Sequence, residues 1–456
     1  MDKSHSEGDF SAAAGGGTST RGEHERKVDE VVAQLKRRKP GRPLSLRKKA
    51  VSHQVPKAGD LRHRDDKIDV SALDSVLLID PEKRLCVAEP GVTFVDLVEQ
   101  TLRHGLLPLV VPELKTITLG GAVAGCSIES MSFRCGGFHD NCLEYEVITA
   151  GGEVLTCSPE REPLLFHMQQ NSFGTLGILS KLTFRLVPAL PYVWLEHEHH
   201  PNLTSYLQAI ERHTQRQDLD FMDGIIHSPK HLVLCAGRFV EGAPYANSYD
   251  WMKVYYRSTE RRSEDYLATF DYLFRYDRGV TNVWPKSAVG RFFLGKLIHS
   301  TRALQLAAKF NRFLPSHRPT ITLDTFLPVS RAAEFMDWYQ RELNYFPLWC
   351  VPYKRVHDYE WLAPQFYEGL SDSLFLDLAI YGMKQPGERN LYRVMEEKLR
   401  ELNGIKTLIS HNYYSESEFW QIFNQPNYDQ VKAITDPDNA FRDLYSKTCR
   451  AAMGLT

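Results

Sequence analysis

The sequence predicts an α+β protein of more than one domain, and three observations predict it. Two glycine elements, Pro112–Gly125 and Ser172–Gly177, lie at the junctions of apolar strand-like runs with turns or small-residue segments. Short strands alternate with amphipathic helices as far as Pro188, and beyond Ala189 the texture changes to longer strands and helices with many aromatics. At 456 residues and 43% hydrophobic content, the chain can bury a large core, and domain-size arguments give two or three domains.

Residues 1–22, rich in Ser, Gly and Ala, read as a tail, and Lys27–Leu35 is the first amphipathic helix. The basic segment Lys36–Pro43 has a Gly-Arg-Pro core similar to the minor-groove-binding AT-hook, but a loop whose arginines approach a cofactor phosphate is the better use of those residues. Strands Val76–Ile79 and Arg84–Ala88 flank an Asp80–Lys83 turn, and Glu89-Pro90-Gly91 leads into the helix Thr93–Arg103. A strand at Leu109–Val111 precedes the first glycine element. Glu144–Thr149 and Glu153–Thr156 pair as a hairpin across Ala150-Gly151-Gly152, and Ile178–Pro188 closes this part of the chain. Farther on, strands are expected at Met222–His227, Leu232–Ala236, Ile321–Phe326, Leu348–Tyr353 and Leu374–Tyr381. With helices at Arg331–Leu343, Asn390–Leu402 and Ser417–Phe423, they read as a sheet covered on one face.

A net charge of -2 gives no global attraction to nucleic acid or to an anionic membrane. The eight cysteines form no C-x-x-C pair and have no metal-like spacing with histidine, so reduced thiols in a cytoplasmic protein are expected, and no metal. No apolar run is long enough for a signal peptide or a membrane span, and any membrane contact is expected to be peripheral.

The first glycine element offers main-chain N–H groups to an anion, and Gly120, Gly121 and Gly125 permit close approach of a ligand. It is neither G-x-G-x-x-G nor a glycine loop followed by Lys-Ser/Thr. Two glycine turns on neighbouring strands suit the two ends of a diphosphate.

With both elements placed, the chain resembles the vanillyl-alcohol oxidase and para-cresol methylhydroxylase (PCMH) flavoprotein superfamily. The resemblance rests on Val87-Ala88-Glu89-Pro90-Gly91-Val92, on Thr118-Leu119-Gly120-Gly121, and on Gly174-Thr175-Leu176-Gly177-Ile178 ahead of Leu182–Pro188. A closer resemblance is to the 24-dehydrocholesterol reductase family of Delta(24)-sterol reductases. It is carried by Val111–Leu114, Gly125–Ser130, Phe346–Pro352, Glu418–Phe423 and the run from Asn439 to Ala452. The animal and plant members have an N-terminal membrane segment that this sequence does not show. The usual first loop of the superfamily is replaced by Ala50–Lys57, where His53 is a loop residue rather than a flavin attachment site.

The resemblance implies a two-subdomain FAD-binding domain of PCMH type at 23–190, a substrate or cap domain at 191–405 with a largely antiparallel sheet, and a C-terminal segment at 406–456 that returns to the FAD domain. It implies FAD as cofactor, NADPH as electron donor and a sterol-like lipid as substrate, with alcohol or sugar oxidation as the alternative chemistry. The basic segment Lys36–Pro43 by itself gives a third reading, a DNA-associated or scaffold protein. Cofactor contacts are expected from Pro112, Glu113, Leu114, Thr116, Thr118, Gly120, Gly121, Gly125 and Ser127, with Gly174, Gly177 and Ile178 at the adenine side. Glu129 either bonds a ribityl or ribose hydroxyl or caps a helix.

Reduction of an unpolarised alkene needs a proton donor that supports carbocation-like charge, and Ser410–Glu416 gathers candidates. His411 and Tyr413 are the preferred donors; the competing reading is a strand whose alternate residues face core and solvent. Lys354, Arg355 and His357 either meet a flavin or nicotinamide phosphate or form an exposed basic strand end. Tyr266–Trp284, with Phe292, Phe293, Leu294 and Leu297, offers apolar surface for a sterol or a membrane face, or else packs in a core.

Overall fold

Seventeen strands form three sheets among the residues described by the computed structural model: 17–50, 59–249, 253–277, 320–385 and 387–455. His53, Trp284, Phe292, Phe293, Leu294 and Leu297 lie outside them. A short parallel pair joins β1 (Leu44–Arg47) to β2 (Asp66–Asp69). The second sheet contains β3 (Val76–Asp80), β4 (Leu85–Ala88), β5 (Leu106–Pro108), β6 (Cys142–Ile148), β7 (Val154–Cys157) and β8 (Ile178–Pro188). Its order is β3-β4-β8-β6-β7, with β5 on β8, and every pairing is antiparallel.

The third sheet is built from β9 (Tyr192–His200), β10 (Phe221–Ser228), β11 (His231–Val240), β12 (Glu264–Ala268), β13 (Ile321–Leu323), β14 (Thr325–Pro328), β15 (Leu348–Lys354), β16 (Leu374–Met383) and β17 (Ile405–Lys406). It is antiparallel in the order β12-β9-β11-β10-β15-β16-β14-β17, with β13 on β16. Strand periodicity divides its side chains between two cores. Met222, Ile226, Leu232, Leu234, Leu348 and Cys350 pack with Tyr206, Phe335, Tyr339, Tyr392 and Met395 of the covering helices. Their neighbours Phe221, Ile225, Val233, Cys235, Trp349 and Val351 join the core that contains Phe94, Leu97, Phe138, Tyr145 and Phe184 of the smaller sheet's domain. One face of the large sheet therefore meets the N-terminal domain directly, and the molecule is α+β.

The strand expected at Leu109–Val111 forms three residues earlier, as β5. The ladder with β8 covers Leu106–Pro108 alone, and Val110 and Val111 are buried without strand pairing. Apolar character reported burial there, not pairing. The expected strand across Ser410–Glu416 is irregular chain leading into the helix Glu416–Ile422.

The N-terminal helix, Gly17–Lys36, is fastened to the smaller sheet by a buried charge network. His24 spans Glu89 and Glu146, 2.9 Å from each, and the Lys27 ammonium donates to Glu89 at 2.9 Å and to Ser75 at 2.8 Å. Burial opposes charge on His24, but the Glu146 and Glu89 carboxylates outweigh it and raise its pKa to about 8. This pKa is above the unfolded value, so the stabilisation is complete below about pH 6.5 and is lost as pH rises through 8. We expect His24→Gln to cost on the order of 1 kcal/mol at pH 6 and almost nothing at pH 9, read by urea denaturation at the two pH values.

The C-terminal segment closes on the same domain. Leu44 donates its N–H to Ala440 O at 2.7 Å, Ala150 to Thr435 O at 2.8 Å, and the Arg442 guanidinium pairs with Asp65 at 2.7 Å. Two residues of the basic segment are also paired with acids, Arg38 with Asp438 at 3.1 Å and Arg42 with Asp66 at 3.7 Å.

Candidate functional site

The first glycine element starts where Thr118 caps the helix Leu119–Ala124, its hydroxyl accepting from the Gly121 N–H at 3.3 Å. Gly120 donates to Pro90 O at 2.9 Å, and a Cβ on it would lie 2.7 Å from Pro90 Cβ, so this glycine is needed for close packing on the Glu89-Pro90-Gly91 turn. Gly125 and Ser127 donate to Gly121 O and Ala122 O, each at 2.9 Å. The N–H groups expected to face a phosphate at Gly120, Gly121, Gly125 and Ser127 are thus used inside the turn itself.

The second element docks on the first through the Phe173 N–H and Ala124 O, 3.1 Å apart. Gly177 has φ +109°, and a Cβ there would lie 2.8 Å from Val147 Cγ1, while Ile178 pairs with Ile148 in the sheet. Gly177 and Ile178 hence serve sheet packing. Beside Gly174 lies a cation that sequence reading missed: Lys447 Nζ donates to Phe173 O at 2.6 Å. Burial, together with Arg62 and Lys48, pushes its pKa down to about 7. Lys432 donates to Thr175 O at 3.0 Å and pairs with Asp436.

Where the two glycine elements meet the large sheet lies a partly open, largely apolar cavity. Its N-terminal-domain wall is Gly125, Cys126, Ile128, His139 and Asn171; the opposite wall is mainly aromatic, from Phe326, Tyr353, Tyr359, Trp361, Phe375 and Phe423. The His139 ring is 1% exposed, and neither ring nitrogen has a hydrogen-bond partner in the chain. Such a group is expensive to bury unless a ligand meets it. Burial holds its pKa down, so the ring is neutral. Tyr353 and Tyr359 meet hydroxyl to hydroxyl and approach Asp140 Oδ2 at 3.4 and 3.1 Å. His357 Nε2 lies 3.3 Å from Asp140 Oδ1.

A second polar group lies under the interface. Arg275 is fully buried, with Nη1 3.3 Å from Glu129 Oε1 and Nη2 3.0 Å from Asp223 Oδ2. Tyr276 and the Trp349 indole donate to the same Asp223 oxygen at 2.7 and 2.9 Å. Burial, and then Glu129, raise the Glu113 pKa to about 8; burial also raises Asp324 and Asp377.

Residues 22–158 match the family model described as an FAD binding domain. The human Delta(24)-sterol reductase is 25% identical over 94% of this chain and 87% of its own length, and the Pisum sativum enzyme of the same name is 25% identical over 93% and 84%. Cytokinin dehydrogenase 10 of Oryza sativa subsp. japonica is 31% identical over 29% of this chain and 24% of its own length. The chain is similar to the Delta(24)-sterol reductases over nearly its whole length. It is an FAD-dependent oxidoreductase.

The residues of this chain fit FAD. An apolar cavity floored by Gly125 accepts a flat ring system, the His139 ring lines it, and Lys447 lies beside Gly174, where a diphosphate would hold it charged. Glu129, expected at a sugar hydroxyl or as a helix cap, is instead held by Arg275 and the Ser130 N–H. Pro112 is buried, Leu114 O accepts from the Ile117 N–H at 3.1 Å, and Thr116 is half-buried in the same turn.

His411 and Tyr413 are not part of the cavity wall. The His411 ring stacks on Tyr392 at 5.2 Å, its carbonyl accepts from Lys406, and Tyr413 packs against the helix-side core. Of the basic strand end, Arg355 lines the cavity and His357 pairs with Asp140. Among the described residues no cluster suits a metal ion, the eight cysteines form no disulfide, and no helix is long and apolar enough to cross a membrane. The signal for the missed groups was a charge inside an apolar strand: Asp223 in Phe221–Ile226 and Asp377 in Leu374–Ile380.

Proposed function

We propose that this protein reduces a carbon-carbon double bond in a sterol or sterol-like lipid, with NADPH reducing the flavin. The observation that carries the reading is the cavity, glycine-floored on the FAD-domain side and aromatic-walled on the other, where an apolar substrate can lie against a flat cofactor. Bound and reduced, FAD supplies two electrons and one hydrogen. The chain's own work is to exclude water, orient the alkene between aromatic rings and deliver a proton. A cytoplasmic location, with peripheral contact to the membrane that supplies the lipid, belongs to the same proposal.

Anaerobic mixing of the yellow protein with NADPH, followed by a sterol bearing a Delta(24) double bond, tests it. The expected result is bleaching of the flavin band by NADPH and its recovery with the saturated sterol as product. A flavin that ignores NADPH but bleaches with an alcohol or sugar would overturn the reading.

A further inference from the structure

An apolar cavity holding an alkene has to receive a proton from one of its own walls, and few wall groups have one to give. The Lys406 ammonium is engaged by Glu396 at 2.9 Å, Ser410, the His411 carbonyl and Asn412 at 2.7 Å. The Thr407 hydroxyl bonds Asp324, and Arg355 pairs with Asp358. The Tyr367 hydroxyl is tied to the Tyr359 backbone. His139 is neutral, and the Cys126 thiol is turned to the Val123 carbonyl at 3.9 Å. Tyr353 and Tyr359 remain, and a chain of polar neighbours leads from them towards solvent. Asp140 is buried beneath them, and beyond it the His357 side chain is 36% exposed.

We propose that Tyr359, paired with Tyr353, donates the substrate proton, and that Asp140 and His357 are the path by which that proton is replaced from solvent. The proposal rests on the reading of the cavity as the place of alkene reduction. In balance, the Tyr359 O–H bond breaks and the π pair of the alkene forms the new C–H bond. The neighbouring carbon takes a hydrogen with two electrons from reduced flavin, which is thereby oxidised. The phenolate recovers a proton passed from the His357 imidazolium across Asp140, and His357 is recharged by water.

The charge states suit this direction of flow. Burial works against an ionised Asp140, but His357 and the Gly137 N–H hold its pKa below the ordinary value, so it is a carboxylate. Burial and that carboxylate raise both tyrosines well above their usual range and keep the hydroxyls protonated. Burial disfavours charge on His357, yet Asp140 and the Asp358 carbonyl raise its pKa overall. The groups facing His357 are Asp140, His139, His167, Asp358, Tyr359 and Glu360. A tyrosine of raised pKa is a weak acid, so its proton transfer is concerted with arrival of the electron pair, while the Asp140 anion stabilises positive charge developing on the alkene.

The test uses the flavin-loaded protein with a Delta(24)-unsaturated sterol across a range of pH, in anaerobic single turnovers for the proton donor and in steady-state turnover with NADPH for the relay that recharges it. Tyr359→Phe should slow sterol-driven flavin reoxidation roughly 100-fold or more, with flavin content and sterol binding unchanged. His357→Ala should remove the alkaline limb of the pH profile, and added imidazole should restore rate. In the wild type, nitrogen NMR should show His357 titrating above the ordinary 6.5. A Tyr353→Phe/Tyr359→Phe double variant reacting at the wild-type rate, or a His357→Ala profile like that of the wild type, would overturn the proposal. If the yellow wild type leaves the sterol untouched, the functional reading fails instead; the NMR titration then decides the relay, and a His357 pKa at or below 6.5 sinks it.

Discussion

Arg275→Met is expected to destabilise the protein by about 3–5 kcal/mol, the cost of leaving buried charge without its partner. Glu129 and Asp223 come from the two sides of the interface, and the guanidinium between them is fully buried. Methionine can replace its volume among Tyr255, Tyr272 and Tyr276, whose rings lie 5.3, 4.1 and 4.7 Å from the guanidinium carbon. It cannot replace the charge. Because the stranded carboxylates can escape by taking up protons, the penalty should grow as pH rises through the carboxylate range and shrink below it. Adding Glu129→Gln should recover part of the loss. Urea denaturation of the single and double variants at pH 5 and pH 8 measures all of this; an Arg275→Met protein as stable as the parent at both would refute the electrostatic account.

Gly125→Trp is expected to give a folded, colourless protein. Gly125 has φ -114°, an ordinary conformation for any residue, so backbone strain does not confound the substitution. The added Cβ would lie 3.1 Å from Gly121 O, a tight but local contact. The indole projects from the wall that includes Cys126 and His139 and fills the space a flavin ring would occupy. Gly125→Ala should retain the yellow colour. Far-UV circular dichroism confirms the fold and the visible spectrum reports the flavin; a Gly125→Trp protein with one flavin per chain would show that the ring binds elsewhere.

Much of the architecture was legible because strand and helix periods are local. The hairpin β6–β7, the long strand β8 and the helices around 331–343, 390–402 and 416–423 all stand out from the pattern of apolar residues and turn glycines. Strand β9 was missed because its apolar run Tyr192–Leu195 gives way to an all-polar run, Glu196–His200, with no alternation to report a strand. The glycine elements pointed to FAD, yet their residues mostly pack the turns. The cavity walls come from segments more than two hundred residues apart, such as His139 and Tyr359, and no local period reports such a meeting. His411 and Tyr413 misled because residue chemistry alone does not tell which core a side chain enters.

The closure of the N-terminal domain by the C-terminal segment bears on how the protein is made. β1 takes its Leu44 contact from Ala440 and Phe441, Asp65 takes its cation from Arg442, and the turn carrying Gly174 receives Lys432 and Lys447. A ribosome that has finished the smaller sheet at Pro188 has therefore released a domain with one side open, and about 240 more residues are synthesised before Lys432 and the contacts beyond it emerge. During that interval the surfaces that these contacts cover stay exposed. A truncation before residue 430 would remove part of the cofactor domain itself, not a dispensable tail.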